Sequence, residues 1–379
     1  MAGMIAYLDN SATTKPFECV ISAMEREMRE GFYNPSSLYA PALQAEKRMD
    51  KCREAIEKKL GAPGSVVFAS GGTEANNLAI LGYAETLRGK MRMIVSSAEH
   101  PSVLEAFRRL EQDGHDIVYL RVDGQGQPDW AQLEDALTED TALISCMLVN
   151  NETGAILDIK RLSAAVREKS PQARIHCDCV QGFLRVPFDA SFVDMVTVSG
   201  HKLCGPKGIG ALWVRKGVRL LPRQLGGGQE SGLRSGTENT CAIAGLLAAI
   251  EEFSVDETMM QKKCEFVRAL RGKIDGLVVN GAPIEDAAPH IVNVSLPDVR
   301  AEVMLHALEA EGVYCSAGSA CSSRKRKLSH VLLAMGVKPE VAEGALRFSL
   351  SPQTTREELS YAAEKIIALQ RALSRYKRR

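Results

Sequence analysis

Lys202 follows FVDMVTVS, a run of apolar and β-branched residues that reads as a buried strand. An ammonium at the end of such a strand must find a partner or give up its proton. A lysine so placed can form a Schiff base with an aldehyde cofactor, which uses the amine as a nucleophile and removes the buried charge. Asp178, in HCDCVQ on a neighbouring strand, offers the carboxylate that a pyridinium nitrogen needs, so pyridoxal 5′-phosphate suits the pair. A phosphate has a candidate cradle in Gly71, Gly72 and Thr73, a glycine turn opening a helix whose free N–H groups and positive end favour anions. The same turn also reads as an ordinary structural helix start. Glu74 stands where a P-loop would have lysine, and no GxGxxG turn occurs, which turns attention from nucleotides to another phosphorylated cofactor. His100, between a strand and a helix, reads either as a ring-stacking residue or as a capping or core histidine.

The elements that must position these residues alternate along the chain. The strands SVVFAS, MRMIVSS, DIVYLRV, TALISCMLV, ARIHCDC, MVTVS and IGALWVR are separated mostly by amphipathic helices, which implies an α/β fold with a mostly parallel sheet covered on both faces. Ligands gather at the carboxyl ends of such strands. GGTEANN, AEHPS, NNETG, DCVQ and SGHK each follow a strand, so five polar strand ends point to one pocket. From residue 258 the texture changes to helix, the strand HIVNVSL, the helix AEVMLHALEAEG, ALRFSLS and a last helix. This predicts a large domain over 15–257 and a smaller α/β domain built from 1–14 and 258–379.

At 379 residues the chain has ample core for two lobes. Its 47 basic and 47 acidic side chains balance, so no global field favours nucleic acid or an anionic membrane. No apolar run reaches the length of a membrane span, and the start lacks a signal-peptide pattern, which predicts a cytoplasmic protein. Ten cysteines without metal-type CxxC pairs read as reduced thiols, mostly small core residues, and no metal site is expected.

The segments YLDNSATT, SGGTEANN, AEHPSV, NNETG, HCDCVQ, SGHKLCGPKGIGALWVR, GGGQESGLRSGTEN, GSACSS and ALRFSLS resemble, in order, the motifs of cysteine desulfurases, the class V branch of fold type I pyridoxal phosphate enzymes. The resemblance runs from Tyr7 to about Leu359. It implies that Lys202 carries the cofactor, Asp178 faces its pyridine nitrogen, Gln181 donates to its ring hydroxyl and His100 stacks on the ring. Gly72, Thr73, Ser199 and His201 would hold the phosphate, with Thr237 reaching that of a neighbouring subunit in a homodimer. Asn151 would contact cofactor and substrate, and Arg347 would grip the substrate carboxylate through two parallel bonds. Cys179, Val180 and Gly200 depart from the usual pattern, where Ala, Thr and Ala are familiar, without touching those positions.

Cys321, in a Gly- and Ser-rich stretch, is the residue that separates this branch from its aminotransferase relatives; Cys315 reads as an ordinary strand-end residue. The resemblance implies that L-cysteine gives up its sulfur to the Cys321 thiolate, leaving a persulfide and L-alanine, for delivery to a sulfur-acceptor protein such as an iron–sulfur scaffold or a transfer RNA thiolation enzyme. Arg324, Lys325, Arg326 and Lys327 follow directly, as a solvated loop or a steering patch for an acidic acceptor. The rival readings are a selenocysteine lyase or other class V aminotransferase, and a noncatalytic sulfur-trafficking scaffold.

Overall fold

The structure, a computed structural model, describes residues 4–317 and 328–374. Cys321 and the basic run Arg324, Lys325, Arg326 and Lys327 lie outside the described residues. In chain order the elements are β1 (Ala6–Tyr7), α1 (Glu18–Glu30), α2 (Ala40–Leu60), β2 (Gly64–Ala69), α3 (Gly72–Ala84), β3 (Arg92–Ser96), α4 (Pro101–Gln112), β4 (Asp116–Leu120), α5 (Trp130–Ala136), β5 (Thr141–Ser145), α6 (Ile159–Lys169) and β6 (Arg174–Asp178). They continue with β7 (Met195–Ser199), β8 (Gly210–Arg215), α7 (Thr240–Glu252), α8 (Met259–Arg271), β9 (Val278–Asn280), β10 (Ile291–Ser295), α9 (Ala301–Ala310), β11 (Val313–Tyr314), α10 (His330–Ala334), α11 (Pro339–Ala342), β12 (Ala345–Ser349) and α12 (Arg356–Leu373).

Seven strands form the central sheet in the order β2-β8-β7-β6-β5-β3-β4. Every pairing is parallel except the two made by β8. β8 is reversed because only residues 200–209 join it to β7, too few for the helical crossover that a parallel neighbour needs. Alternate residues of one strand feed cores on opposite faces: Ile94 and Ile144 pack on one side, Met93, Val95 and Leu143 on the other. The strands are therefore buried on both faces, and their polar groups collect at the ends. Because β2, β3, β5, β6 and β7 run the same way, their carboxyl ends share one edge.

A second core lies around Phe266, Val292, Met304, Phe348 and Ile366. It packs α8, α9 and α12 on a three-stranded antiparallel sheet, β12-β10-β9. The chain start joins this core: Ala6 and Leu8 pack into it, and β1 pairs in parallel with β11. α12 opens with a reciprocal capping box between Thr355 and Glu358, which fixes where the last helix leaves the sheet. Among the described residues no helix is long and apolar enough to cross a membrane.

Candidate active site

Lys202 lies in the β7–β8 connection, in the one-turn 3-10 helix Gly200–Lys202. A Cβ on Gly200 would come within 2.8 Å of Ile209 Cγ2 and 3.0 Å of the Pro206 carbonyl, so an alanine here would require Ile209 and the connection to shift slightly. The Lys202 Nζ donates to the Ser11 carbonyl at 2.5 Å and the Ala12 carbonyl at 2.7 Å. Burial, aided by the Arg347 and Arg185 cations and opposed by Asp9 and Asp178, pulls the amine down from 10.5 to about 7. Much of it is thus neutral and nucleophilic near neutral pH.

Asp178 ends β6, beside β7. One carboxylate oxygen accepts from Asn76 Nδ2 at 2.7 Å and the other from the Val180 N–H at 2.9 Å. Asn76 comes from the first turns of α3 and also donates to Ser102 Oγ at 2.9 Å. His100 is the N-cap of α4, its Nδ1 accepting from the Ser102 N–H at 3.1 Å. Burial lowers its pKa, with Lys202 and His330 acting the same way and Asp178 against them. His100 therefore caps α4 and stands near Asp178 and Lys202. Gln181 donates from Nε2 to the Ser11 carbonyl at 2.9 Å, and its Oε1 accepts from Arg185 at 2.9 Å.

The turn at Gly71 and Gly72 faces Ser199: a Cβ on Gly72 would sit 2.8 Å from Val180 Cγ2 and 3.6 Å from Ser199 Cβ, whereas one on Gly71 would meet nothing within 4 Å. Among the described residues the buried Ser199 hydroxyl has no hydrogen-bond partner, nor does that of Ser11. An unpartnered buried hydroxyl beside the N-terminus of a 13-residue helix fits a phosphate that brings its own acceptors. His201 lies next to it, with Nδ1 3.2 Å from Thr13 Oγ1; burial and the Lys202, Lys207 and Arg185 charges hold it down to about 4, so the ring is neutral. Thr73 is exposed in the first turn of α3. With the Lys202 amine and the Asp178 carboxylate, these groups match the three ends of pyridoxal 5′-phosphate. Thr237 is exposed and, among the described residues, makes no hydrogen bond to this corner.

Arg347 reaches over from β12. Its Nη1 donates to the Asn151 carbonyl at 2.9 Å, Nη2 meets Asp9 Oδ1 at 2.7 Å, and the buried Nε has no partner among the described residues. One arm of the anticipated carboxylate fork is thus already engaged by Asp9. Asn151 sits in a turn built by Asn150, whose Oδ1 accepts from the Glu152 and Thr153 N–H groups and whose Nδ2 donates to the Ala98 carbonyl. The chain on both sides of the segment bearing Cys321 is tied to this region. Ser316 bridges to Arg347 through the backbone, Ser329 donates to Glu152 Oε2 at 2.5 Å, and His330 Nε2 lies 3.0 Å from the Glu99 carbonyl. Cys315 is close to Asp9 and Arg347, and burial pushes its thiol up. Sequence reasoning passed over Asp9, Ser11, Asn76 and Arg185. The first three lie inside motifs already quoted, and Asn76 is marked by its place one helical turn after Gly72. Arg185 carries only a weak signal, four residues beyond Gln181. Among the described residues no group of His, Cys, Asp and Glu is arranged to hold a metal.

Residues 6–361 match the family model for class-V aminotransferases. A cysteine desulfurase IscS of Dictyoglomus turgidum is 40% identical, with 98% of this chain and 96% of that protein covered. A solved NifS-like protein superposes with a TM-score of 0.90 at 34% identity, covering 98% of this chain and all of the other. A structure described as SspA in complex with cysteine matches with a TM-score of 0.82 at 34% identity over 92% of this chain.

Proposed function

Since this chain belongs to the class-V aminotransferases and, within them, to the cysteine desulfurases, we propose that the cluster around Lys202 holds pyridoxal 5′-phosphate and passes the sulfur of L-cysteine to Cys321. The observation that carries this reading is the Lys202 amine, turned between the Ser11 and Ala12 carbonyls with its pKa near 7, next to Asp178. When bound, the cofactor supplies an aldehyde for amines and a ring that withdraws electrons from the bonds at Cα. Asp178, oriented by Asn76 and the Val180 N–H, would hold the pyridine nitrogen. Ser199, His201, Thr73 and the N–H groups at Gly72 would hold the phosphate. The Gln181 NH2 would serve the ring hydroxyl, and His100 would lie against the ring.

Arg347 binds the substrate carboxylate with Asn151 beside it. The Lys202 amine would carry the Cα proton. The Cys321 thiolate attacks the substrate sulfur; an S–S bond forms as the C–S bond breaks, its electron pair stays on carbon, and a proton completes L-alanine. The free Cys321 thiol calls for a reducing compartment, which supports a cytoplasmic setting. A homodimer, with Thr237 of one copy at the phosphate of the other, is supported by exposed apolar side chains including Phe32 at 68%, Leu38 at 96% and Leu225 at 82% exposure. The cations Arg324, Lys325, Arg326 and Lys327 support an acidic protein as sulfur acceptor. The test is a product balance: one L-alanine per L-cysteine, with a persulfide mapped to Cys321 by mass spectrometry. A keto acid product, or alanine with free sulfide and no persulfide at Cys321, would assign the chain to an aminotransferase or lyase reaction instead.

A further inference from the structure

Arg185 is buried, 6% exposed, and no carboxylate among the described residues forms an ion pair with it. It lies four residues after Gln181, within the turns that follow β6. Its Nη1 donates to Gln181 Oε1 at 2.9 Å and its Nη2 to the Lys202 carbonyl. Gln181 Nε2 and Lys202 Nζ then converge on one acceptor, the Ser11 carbonyl, at 2.9 and 2.5 Å. The four residues close a ring of hydrogen bonds around the amine. The ring has a direction, because a guanidinium has donors only and must face an oxygen. The Gln181 oxygen is therefore committed to Arg185 and its NH2 to the side where Lys202 works. A buried cation is costly unless something uses it.

We propose that Arg185 is a positioning residue for the reaction at Lys202: it fixes the donor face of the Gln181 amide, braces the Lys202 main chain, and keeps positive charge behind the amine. The proposal rests on Lys202 being the reacting amine. The titratable neighbours of Arg185 do not cancel its charge. His201 and His290 are held neutral by burial, helped by Arg185 itself, and the Cys204 thiol is pushed up by burial. Burial lowers Arg185 to about 10, which leaves it charged at neutral pH. Facing Lys202 from other elements are Arg347, which acts with Arg185, and Asp9 and Asp178, which act against it.

The experiment is competitive acetylation of the full-length, cofactor-free protein with trace acetic anhydride from pH 5 to 10, reading the Lys202 peptide by mass spectrometry. Wild-type labelling should reach half its maximum near pH 7. Arg185→Gln should move that midpoint upward, so that labelling at pH 7 falls about two- to fivefold. Arg185→Lys retains the charge and should keep the midpoint, yet a single ammonium cannot span Gln181 and the Lys202 carbonyl as a fork does, so pyridoxal 5′-phosphate should leave that variant faster. Should Arg185→Gln fail to fold, Arg185→Lys carries the test alone: faster cofactor release at an unchanged midpoint sustains the proposal, and unchanged release overturns it. An unmoved midpoint in folded Arg185→Gln, or a raised one in Arg185→Lys, also overturns it. Continued L-alanine formation by the pyridoxal 5′-phosphate-loaded forms of the same variants would show that the desulfurase reading stands while this one falls.

Discussion

Asp9→Asn is expected to weaken the fold and tighten substrate binding at once. Asp9 and Arg347 are 338 residues apart in sequence and join at 2.7 Å, with side chains 23% and 6% exposed. An exposed pair contributes ~0–1 kcal/mol, whereas breaking a buried one costs roughly 3–5 kcal/mol. This half-buried pair falls between, and its loss should destabilise the free protein by about 1–2 kcal/mol. The Nε and Nη2 of a guanidinium form its side edge. Here Nε has no partner among the described residues and Nη2 carries Asp9, so a substrate carboxylate gripping that edge displaces the protein's own. Neutralising Asp9 removes the competitor, and if all the lost energy returns on binding, affinity rises by up to about five- to thirtyfold. Asp9 also raises the Lys202 pKa, so the pH at which the Lys202 amine of the cofactor-free protein is half labelled by acetic anhydride should fall. Urea unfolding, the inhibition constant of L-alanine and that labelling profile read the three effects; L-alanine has the carboxylate without the sulfur, which avoids equating KM with affinity. Weaker L-alanine binding with unchanged stability would refute the reasoning and make Asp9 an aid to Arg347 rather than its competitor.

Asn76→Leu removes a charge-assisted donor from Asp178, worth about 1.5–3 kcal/mol, so pyridoxal 5′-phosphate should bind roughly ten- to hundredfold more weakly in an equilibrium titration. The Lys202 amine is near 7 in the fold and 10.5 when free, so the folded cofactor-free protein binds fewer protons between those values. Its stability should rise with pH across that window and carry the full penalty below about 7, and Lys202→Met should flatten the slope in unfolding experiments. Cys321→Ala should keep the cofactor and bind L-cysteine yet lose most sulfide release in the presence of a thiol reductant. Cys315→Ala should change that release little, because burial holds its thiol protonated.

The parallel order and the shared edge of strand ends are legible in sequence because strands buried on both faces leave a one-dimensional signal, an apolar run followed by polar residues. The reversal of β8 is legible too, but only by counting the residues between VTVS and IGALWVR against the length of a crossover. Lys202, Asp178 and Gly72 declare themselves by being out of place at buried strand ends. Asp9 and Ser11 do not. What they supply is a carboxylate and a main-chain carbonyl whose value depends on partners more than 150 residues away, and every residue carries a carbonyl. Arg185 is hidden for a related reason: basic residues after a strand are usually solvated, and nothing local says that this one is buried.

The residues that sequence hid converge on one short segment. Asp9 holds Arg347, the Ser11 and Ala12 carbonyls take the Lys202 amine, Ser11 also takes Gln181, Thr13 meets His201, and Thr14 bonds the His201 carbonyl at 2.9 Å. The Ser11 N–H donates to Ser349 Oγ at 2.7 Å, and Asn10 Nδ2 donates to the Ser349 carbonyl at 2.9 Å. Residues 9–14 therefore lie in the seam between the two cores, bonded to β12 on one side and to the β7–β8 connection on the other. A shift of that segment would alter the lysine, its amide neighbour and the carboxylate-binding arginine together. The two cores consequently need no direct contact at the reacting amine to be coupled there; the coupling passes through main-chain oxygens, which substitution cannot remove and which only the path of the backbone can aim.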